Sequence, residues 1–226
     1  MAQKIKPNSY RLGITVPWSS RWFFKRQTKF FLEEDHLIRG LVKKEILQSG
    51  VDEIEIERAG ENVRINIRAA KPGLIIGRGG KGIEDLKNKI VRAVKKLRKK
   101  NNITQGLNIN INIEELKRFD VSAKVIAQQI AFDIEKRLPY RRVMKKNLET
   151  IMQTRGVLGA KIKIGGRLDG AEISRSDFLL KGKMPLSSLR SNIDYGEATS
   201  FNTYGTVGIK VWIYKGEIFE EKENNK

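Results

Sequence analysis

Residues 54–113 change hydrophobic period twice, and a cluster of four glycines marks the first change. Ile54 and Ile56 alternate with Glu53, Glu55 and Glu57. Beyond the turn-forming Ala59-Gly60-Glu61-Asn62, Val63, Ile65 and Ile67 alternate with Arg64, Asn66 and Arg68. Period two on both sides of a turn predicts a half-buried hairpin, with the three glutamates on a solvated sheet face. Pro72-Gly73 breaks the pattern and Gly77, Gly79, Gly80 and Gly82 follow. Ile83, Leu86, Ile90, Val94 and Leu97 then recur at the three-to-four spacing of a long amphipathic helix. Leu107 to Ile113 returns to period two. Ahead of the hairpin, Asp35 reads as the N-cap of a helix bearing Leu37, Ile38, Leu41, Val42 and Ile46, which Gly50 stops. The order helix, strand, strand, glycine loop, helix, strand predicts a three-stranded sheet with helices on one face.

A second unit of the same class follows. Asp120 or Ser122 caps a helix whose apolar face is Ala123, Ile126, Ala127, Ile130, Ala131, Ile134 and Leu138, ended by Pro139. A further helix carries Met144, Leu148, Ile151 and Met152 and stops near Gly156. Short strands are expected over 161–167, 171–178 and 207–214. The expected fold class is α+β: one α+β domain, then a second in which two helices pack on a mostly antiparallel sheet. The expected divisions are a basic, aromatic arm over 1–34, a first domain over 35–116, a second over 117–216 and an acidic, disordered tail over 217–226. In the arm, Trp18, Trp22, Phe23 and Phe24 are expected to anchor it on protein rather than to stack on bases.

The charge names the class of partner. With 45 Lys and Arg against 26 Asp and Glu, the chain carries +19 and repels itself unless a polyanion lies beside it. Nine residues between Lys81 and Lys100 are basic and two acidic, and six of the eleven residues from Lys136 to Lys146 are basic with no acid among them. There is no cysteine and one histidine, His36, so disulfides, thiolate nucleophiles, Cys/His zinc sites and any triad not built on that imidazole are excluded. His36 reads as a first-turn surface residue. No metal or cofactor is expected, and no acid pair or lysine pocket points to an enzyme. No apolar run approaches the roughly 18 to 20 residues of a membrane span, and residues 1–13 lack the core of a signal peptide. A cytoplasmic protein with no membrane partner is the expectation.

The glycine cluster fits two templates. As Gly77-x-Gly79-x-x-Gly82 it matches a dinucleotide fingerprint, but that site needs a buried strand before the loop and an acid about 20 residues after it. Only Leu74-Ile75-Ile76 precedes the loop, and no acid falls between Asp85 and Glu114. As Ile76-Gly77-Arg78-Gly79-Gly80-Lys81-Gly82-Ile83 it is I-G-x-x-G-x-x-I. Glycines at both ends of such a loop let the backbone approach a ribose-phosphate chain, with helix amides facing the phosphates. This resembles the G-x-x-G loop of a K-homology (KH) RNA-binding domain of type II, and the resemblance implies RNA contacts at Gly77, Arg78, Gly79, Gly80 and Lys81. A plain helix-helix turn is the alternative.

A wider resemblance covers nearly the whole chain. Gln3-Lys4-Ile5-Lys6-Pro7-Asn8-Ser9-Tyr10-Arg11-Leu12-Gly13, Gly165-Gly166-Arg167-Leu168, Gly170-Ala171-Glu172-Ile173-Ser174-Arg175, Asp194-Tyr195-Gly196 and Thr203-Tyr204-Gly205-Thr206-Val207-Gly208 are similar to the bacterial small-subunit ribosomal protein S-three family. The resemblance implies a type II KH domain followed by a second α+β domain. It implies a structural place in the head of the small subunit, with 16S-type ribosomal RNA, mRNA and neighbouring head proteins as partners and no small-molecule substrate. In the family, basic residues opening the second helix of the C-terminal domain lie beside incoming mRNA and help to unwind it. That role carries over to Arg141, Arg142 and Lys145, with Lys146 beside them. Lys6 stands where the family has histidine, Ser9 where it has glycine, and Gly79 where a cation is usual. The rival readings are a stand-alone KH regulator of transcripts, a lysine-dependent DNA-repair nuclease or lyase, and, for the α-helical cations alone, a solvated face.

Overall fold

The computed structural model describes residues 5–22, 28–46, 49–101, 106–116 and 121–219. Phe23, Phe24, Asp120 and residues 220–226 of the expected tail lie outside them. The chain divides into two compact units, residues 18–117 and a discontinuous unit of residues 1–17 with 118–226. The latter opens with a single helical turn, α1 (Pro7–Tyr10), started by the fixed φ of Pro7.

In the continuous unit, β1 (Ser20–Trp22) is followed by α2 (Thr28–Glu45), the hairpin β2 (Val51–Ala59) and β3 (Asn62–Ala69), α3 (Pro72–Ile76), α4 (Lys81–Lys100) and β4 (Asn108–Glu115). The expected alternation sets the register: Ile54 faces Ile67 and Ile56 faces Ile65 across the antiparallel hairpin, and β4 lies parallel to β3 with Ile109 opposite Val63. Ile38 and Val42 of α2 and Leu86, Ile90 and Val94 of α4 close over these isoleucines to form the core. The glutamates of β2 do occupy the outer face, where Glu57 lies 3.8 Å from Arg21 and 3.8 Å from Arg64.

Two features depart from expectation. The sheet has a fourth strand, because β1 pairs parallel to β2 with Ser20 opposite Ile56. Helix α2 begins at Thr28, so Asp35 is not its cap but a buried residue within it, and His36 is an exposed mid-helix residue. The two departures have one cause. Asp35 accepts hydrogen bonds from Arg58 Nε (2.8 Å), Trp22 Nε1 (2.9 Å) and Ser20 Oγ (3.1 Å), so the same carboxylate that sits inside the helix fastens the new strand. Arg39 adds bonds to the carbonyls of Ile54 (2.9 Å) and Ser19 (3.0 Å). Beside it Glu34, wholly buried, accepts from Arg58 Nη1 (2.7 Å) and Arg98 Nε (2.7 Å). Carboxylates so placed are tolerated only because guanidinium groups neutralise and hydrogen-bond them. Trp22 is thus an anchor, whereas Trp18 is 67% exposed.

In the discontinuous unit, α5 (Ala123–Glu135) and α6 (Tyr140–Gln153) precede β5 (Gly159–Gly166), β6 (Arg175–Gly182), β7 (Ser191–Asn202) and β8 (Gly205–Glu217). The strands form an antiparallel sheet in the order β6-β5-β8-β7. Ile162, Ile164, Ile209, Val211 and Ile213 meet Ala127, Ile130, Met144 and Ile151 of the helices in its core. Ser122 caps α5 by accepting from the Val125 amide (3.4 Å). Three expectations change here. Leu138 lies beyond the end of α5 and is exposed. A turn at Leu168–Gly170 delays the strand expected at 171 until Arg175. Strand β7 is additional. Residues 5–17 join this unit through Arg11, a buried guanidinium that donates to the carbonyls of Leu186 (3.1 Å) and Ser188 (2.7 Å), and through an ion pair between Lys6 and Glu197.

Candidate nucleic-acid interface

The glycine loop is built as the spacing demands. Helix α3 stops at Gly77 (φ 69°), Gly79 (φ 63°) and Gly80 (φ 79°) also take left-handed backbone, and Gly80 is the N-cap of α4. Those angles penalise any residue with a Cβ. The four glycines do not have one role. A Cβ on Gly79 or Gly80 would meet nothing within 4 Å, so these two present bare backbone to the outside. A Cβ on Gly82 would lie 2.5 Å from the Ile75 carbonyl oxygen, and one on Gly77 3.1 Å from the Gly82 nitrogen. The inner pair therefore lets α3 and α4 close on each other. Among the described residues no side chain caps α4, leaving first-turn amides for an incoming anion, and the exposed Arg78 and Lys81 flank them.

Sequence reasoning missed the surface beside this loop. A cleft of about 420 Å³ runs between α4 and β4, lined by Arg64, Ile83, Glu84, Lys87, Asn110, Ile111 and Asn112. It joins an apolar floor, Ile83 and Ile111, to two cations, one acid and two asparagine side chains. Ile83, the last letter of the I-G-x-x-G-x-x-I pattern, was the available signal. The Asn112 amide donates to Asn66 Oδ1 (3.1 Å), which fixes one of those polar groups in place.

The second set of cations lies on α6. Val143, Met144, Asn147, Leu148 and Ile151 are buried against the sheet, so Arg141, Arg142, Lys145 and Lys146 share the exposed side one helical turn apart. Arg141 is held: its Nε donates to the Tyr140 hydroxyl (3.0 Å) and lies 3.9 Å from Asp177 Oδ2. The bond to Tyr140, with the nearby Asp177 charge, raises its already high pKa. Arg142, Lys145 and Lys146 have no side-chain partner among the described residues. Adjacent like charges on a helix repel, so the arrangement favours an external anion. Among the described residues no cluster of acids and histidine could hold a metal ion, and no helix is long and apolar enough to cross a membrane.

Two family models match successive stretches of the chain. Residues 37–120 match the family profile "KH domain", and residues 130–213 match "Ribosomal protein S3, C-terminal domain". The chain is 44% identical over 225 residues to the small ribosomal subunit protein uS3 of Clostridium botulinum (strain Okra / Type B1), a match that covers 99% of this chain and 96% of that protein. It is 42% identical over 227 residues to the protein of the same name from Clostridium tetani (strain Massachusetts / E88), covering 100% and 98%. With a KH loop in one unit, a basic helix face in the other and identity of this order along the full length, the chain belongs to the small ribosomal subunit protein uS3 family.

Proposed function

We propose that this chain, as a constituent of the head of the small ribosomal subunit, binds 16S-type ribosomal RNA through the loop Gly77, Arg78, Gly79, Gly80 and Lys81. In the same reading it borders the mRNA entrance with Arg141, Arg142, Lys145 and Lys146 and contacts neighbouring head proteins. Membership of a family of structural ribosomal proteins makes it a ribosomal component and not an enzyme. The observation that supports the entrance role is that Arg142, Lys145 and Lys146 project from a helix whose other side is buried, with no protein anion to neutralise them among the described residues. Such a face attracts an RNA backbone without reading its sequence, as a surface along which every message passes must.

The test is replacement of Arg141, Arg142 and Lys145 together by alanine. Small subunits carrying the variant are expected to assemble and to translate unstructured messages normally, but to slow at a stable hairpin placed at the entrance. Unchanged passage through that hairpin refutes the role. Sedimentation at about 0.5 M salt, where contacts made to phosphate alone are largely lost, separates this reading from a free transcript regulator. The protein is expected to stay with small subunits at one copy each, and recovery at the top of the gradient refutes the ribosomal assignment.

A further inference from the structure

One cleft of the discontinuous unit belongs neither to the glycine loop nor to the exposed face of α6. It measures about 460 Å³ and is walled by the connection between α5 and α6, the turn after β5 and the tip of the β7–β8 hairpin. Ile134, Leu168 and Val207 of the core form its floor. Its rim holds Tyr204, 60% exposed, and Phe201, 72% exposed. The size falls within the roughly 300–1,000 Å³ of small-ligand sites.

Backbone strain is concentrated here. Arg137 (φ 61°) and Asp169 (φ 51°) are the two non-glycine residues with left-handed φ among the described residues, and both line this cleft. Such outliers persist where the surrounding structure enforces them, and they gather at binding sites. Asp169 has a structural use, since its Oδ1 accepts from the Tyr140 amide (3.5 Å) at the start of α6. Arg137 has none of that kind: its guanidinium has no partner among the described residues. Tyr204, by contrast, is pinned. Arg167 donates to the Tyr204 carbonyl (3.2 Å) and the Ala171 carbonyl (2.8 Å), with its guanidinium 5.7 Å from the Tyr204 ring centroid. Gly170 comes so near that a Cβ there would lie 3.4 Å from the ring. The ring is thus a prepositioned flat surface in a cleft whose lining also holds a cation without a partner among the described residues.

We propose that this cleft captures one unpaired base of single-stranded RNA, stacked on Tyr204, with the adjoining phosphate on Arg137. The proposal rests on the reading of α6 as an mRNA-facing helix, since α6 begins at Tyr140 inside the cleft and Arg141 and Arg142 follow directly. A fixed aromatic ring stacks with any base, so capture does not depend on sequence. The two acids of the lining are already engaged by backbone amides, Glu135 with Phe201 (3.0 Å) and Asp169 with Tyr140, while Lys136, Arg137, Arg141 and Arg142 leave the surroundings cationic. An RNA strand satisfies that balance, with its apolar faces inward and its phosphates outward.

The test uses the full chain with its glycine loop silenced by Gly80→Asp, and compares a short oligouridylate with an abasic strand of equal length by fluorescence anisotropy. The base-bearing strand is expected to bind roughly 5- to 150-fold more tightly, the range of one base-aromatic stack. Tyr204→Ala is expected to abolish that ratio while leaving abasic affinity unchanged, which also reports that the chain is folded, and Tyr204→Phe to preserve it. Arg137→Gly is expected to weaken both strands while the melting temperature holds or rises, because glycine adopts φ 61° without strain. A ratio near one before mutation, or one that survives Tyr204→Ala, overturns the proposal. The reading of α6 fails separately, if alanine at Arg141, Arg142 and Lys145 leaves abasic affinity unchanged.

Discussion

Replacing Gly82 by alanine separates local helix preference from tertiary constraint. By propensity the change should help, since a glycine inside a helix is about 0.5–1 kcal/mol less favourable than alanine. The close approach of α3 predicts the opposite. The new Cβ would lie 2.5 Å from the Ile75 carbonyl oxygen and 3.0 Å from that of Ile76, where ordinary contact begins at 3.4 Å, a shortfall of 3.4 − 2.5 = 0.9 Å against backbone. Neither helix can relieve that by turning a side chain, so they must part, at a cost comparable to overpacking a core, about 1–3 kcal/mol. Subtracting the propensity gain leaves a net loss of up to about 2.5 kcal/mol, with a middle value of about 1 kcal/mol. Gly73→Ala is the control: it lies in α3, an added Cβ there meets nothing within 4 Å, and it should stabilise slightly. The assay is urea unfolding of the full chain carrying Trp212→Phe, so that the remaining tryptophans, Trp18 and Trp22, report on the unit of residues 18–117 alone. With a urea dependence of about 1–2 kcal/mol per molar for a unit of this size, the midpoint should fall by about 1 M for Gly82→Ala. A midpoint that rises, as Gly73→Ala predicts for itself, refutes the argument that Gly82 is there for the contact between α3 and α4.

Glu34→Gln should destabilise the same unit by about 3–5 kcal/mol, because Arg58 and Arg98 would be left buried around a neutral amide. The same tryptophan-monitored unfolding measures it, and a loss under about 1 kcal/mol would mean that the cluster relaxes or hydrates freely. In the other unit, the hydrogen bond from Lys6 holds the Glu197 carboxyl below its usual range. Its contribution is therefore present above the ordinary carboxylate pKa and disappears as the pH falls through the depressed value, so Lys6→Met should flatten the acid limb of stability. Tyr195 runs the other way. Burial, with the Glu197 charge beside it, pushes its phenol up to about 12, so its contribution is complete below about pH 10 and declines as the pH rises towards about 12. In a phenolate absorbance titration, Tyr195→Phe should delete the ionisation at about 12, and an unchanged alkaline limb would contradict the burial.

The hairpin and β4 were legible because apolar and polar residues alternate over 53–57, 63–68 and 107–113, enough in combination to fix both face and register. Strand β1 was not legible: Ser20-Arg21-Trp22 has no alternation, and its pairing depends on a carboxylate buried 13 residues further along the chain. Strand β7 was hidden by its composition. Asp194, Gly196, Glu197 and Asn202 are poor strand formers, and the neighbouring helix accounts for two of them. Asp194 accepts from the Ala123 amide (2.8 Å) at the start of α5, and Gly196 makes room for the Ala123 carbonyl, which a Cβ would approach to 2.3 Å. The same contrast holds for the candidate sites. The loop glycines and the α6 cations are local patterns, readable as i, i+3 and i, i+4 spacings. The Tyr204 cleft is assembled from Ile134 to Val207, and its strained Arg137 looks in sequence like one more cation in a basic run.

The division of the chain into a continuous and a discontinuous unit also sets an order of events during synthesis. Residues 18–117 can close their sheet and core as soon as they emerge, since all their strand partners lie within that span. Residues 5–17 emerge earlier but have nothing to bind. Arg11 must wait for Leu186 and Ser188, 175 and 177 residues later, and Lys6 for Glu197, 191 residues later. At about 5–20 residues per second, that wait lasts from roughly ten seconds to most of a minute. The intervening fold shortens the gap the nascent chain must close, because a folded unit replaces about a hundred residues of flexible loop and the entropy that loop would cost. Residues 5–17, though made before residues 18–117, are thus fastened after them, and until then they travel as a free cationic thread.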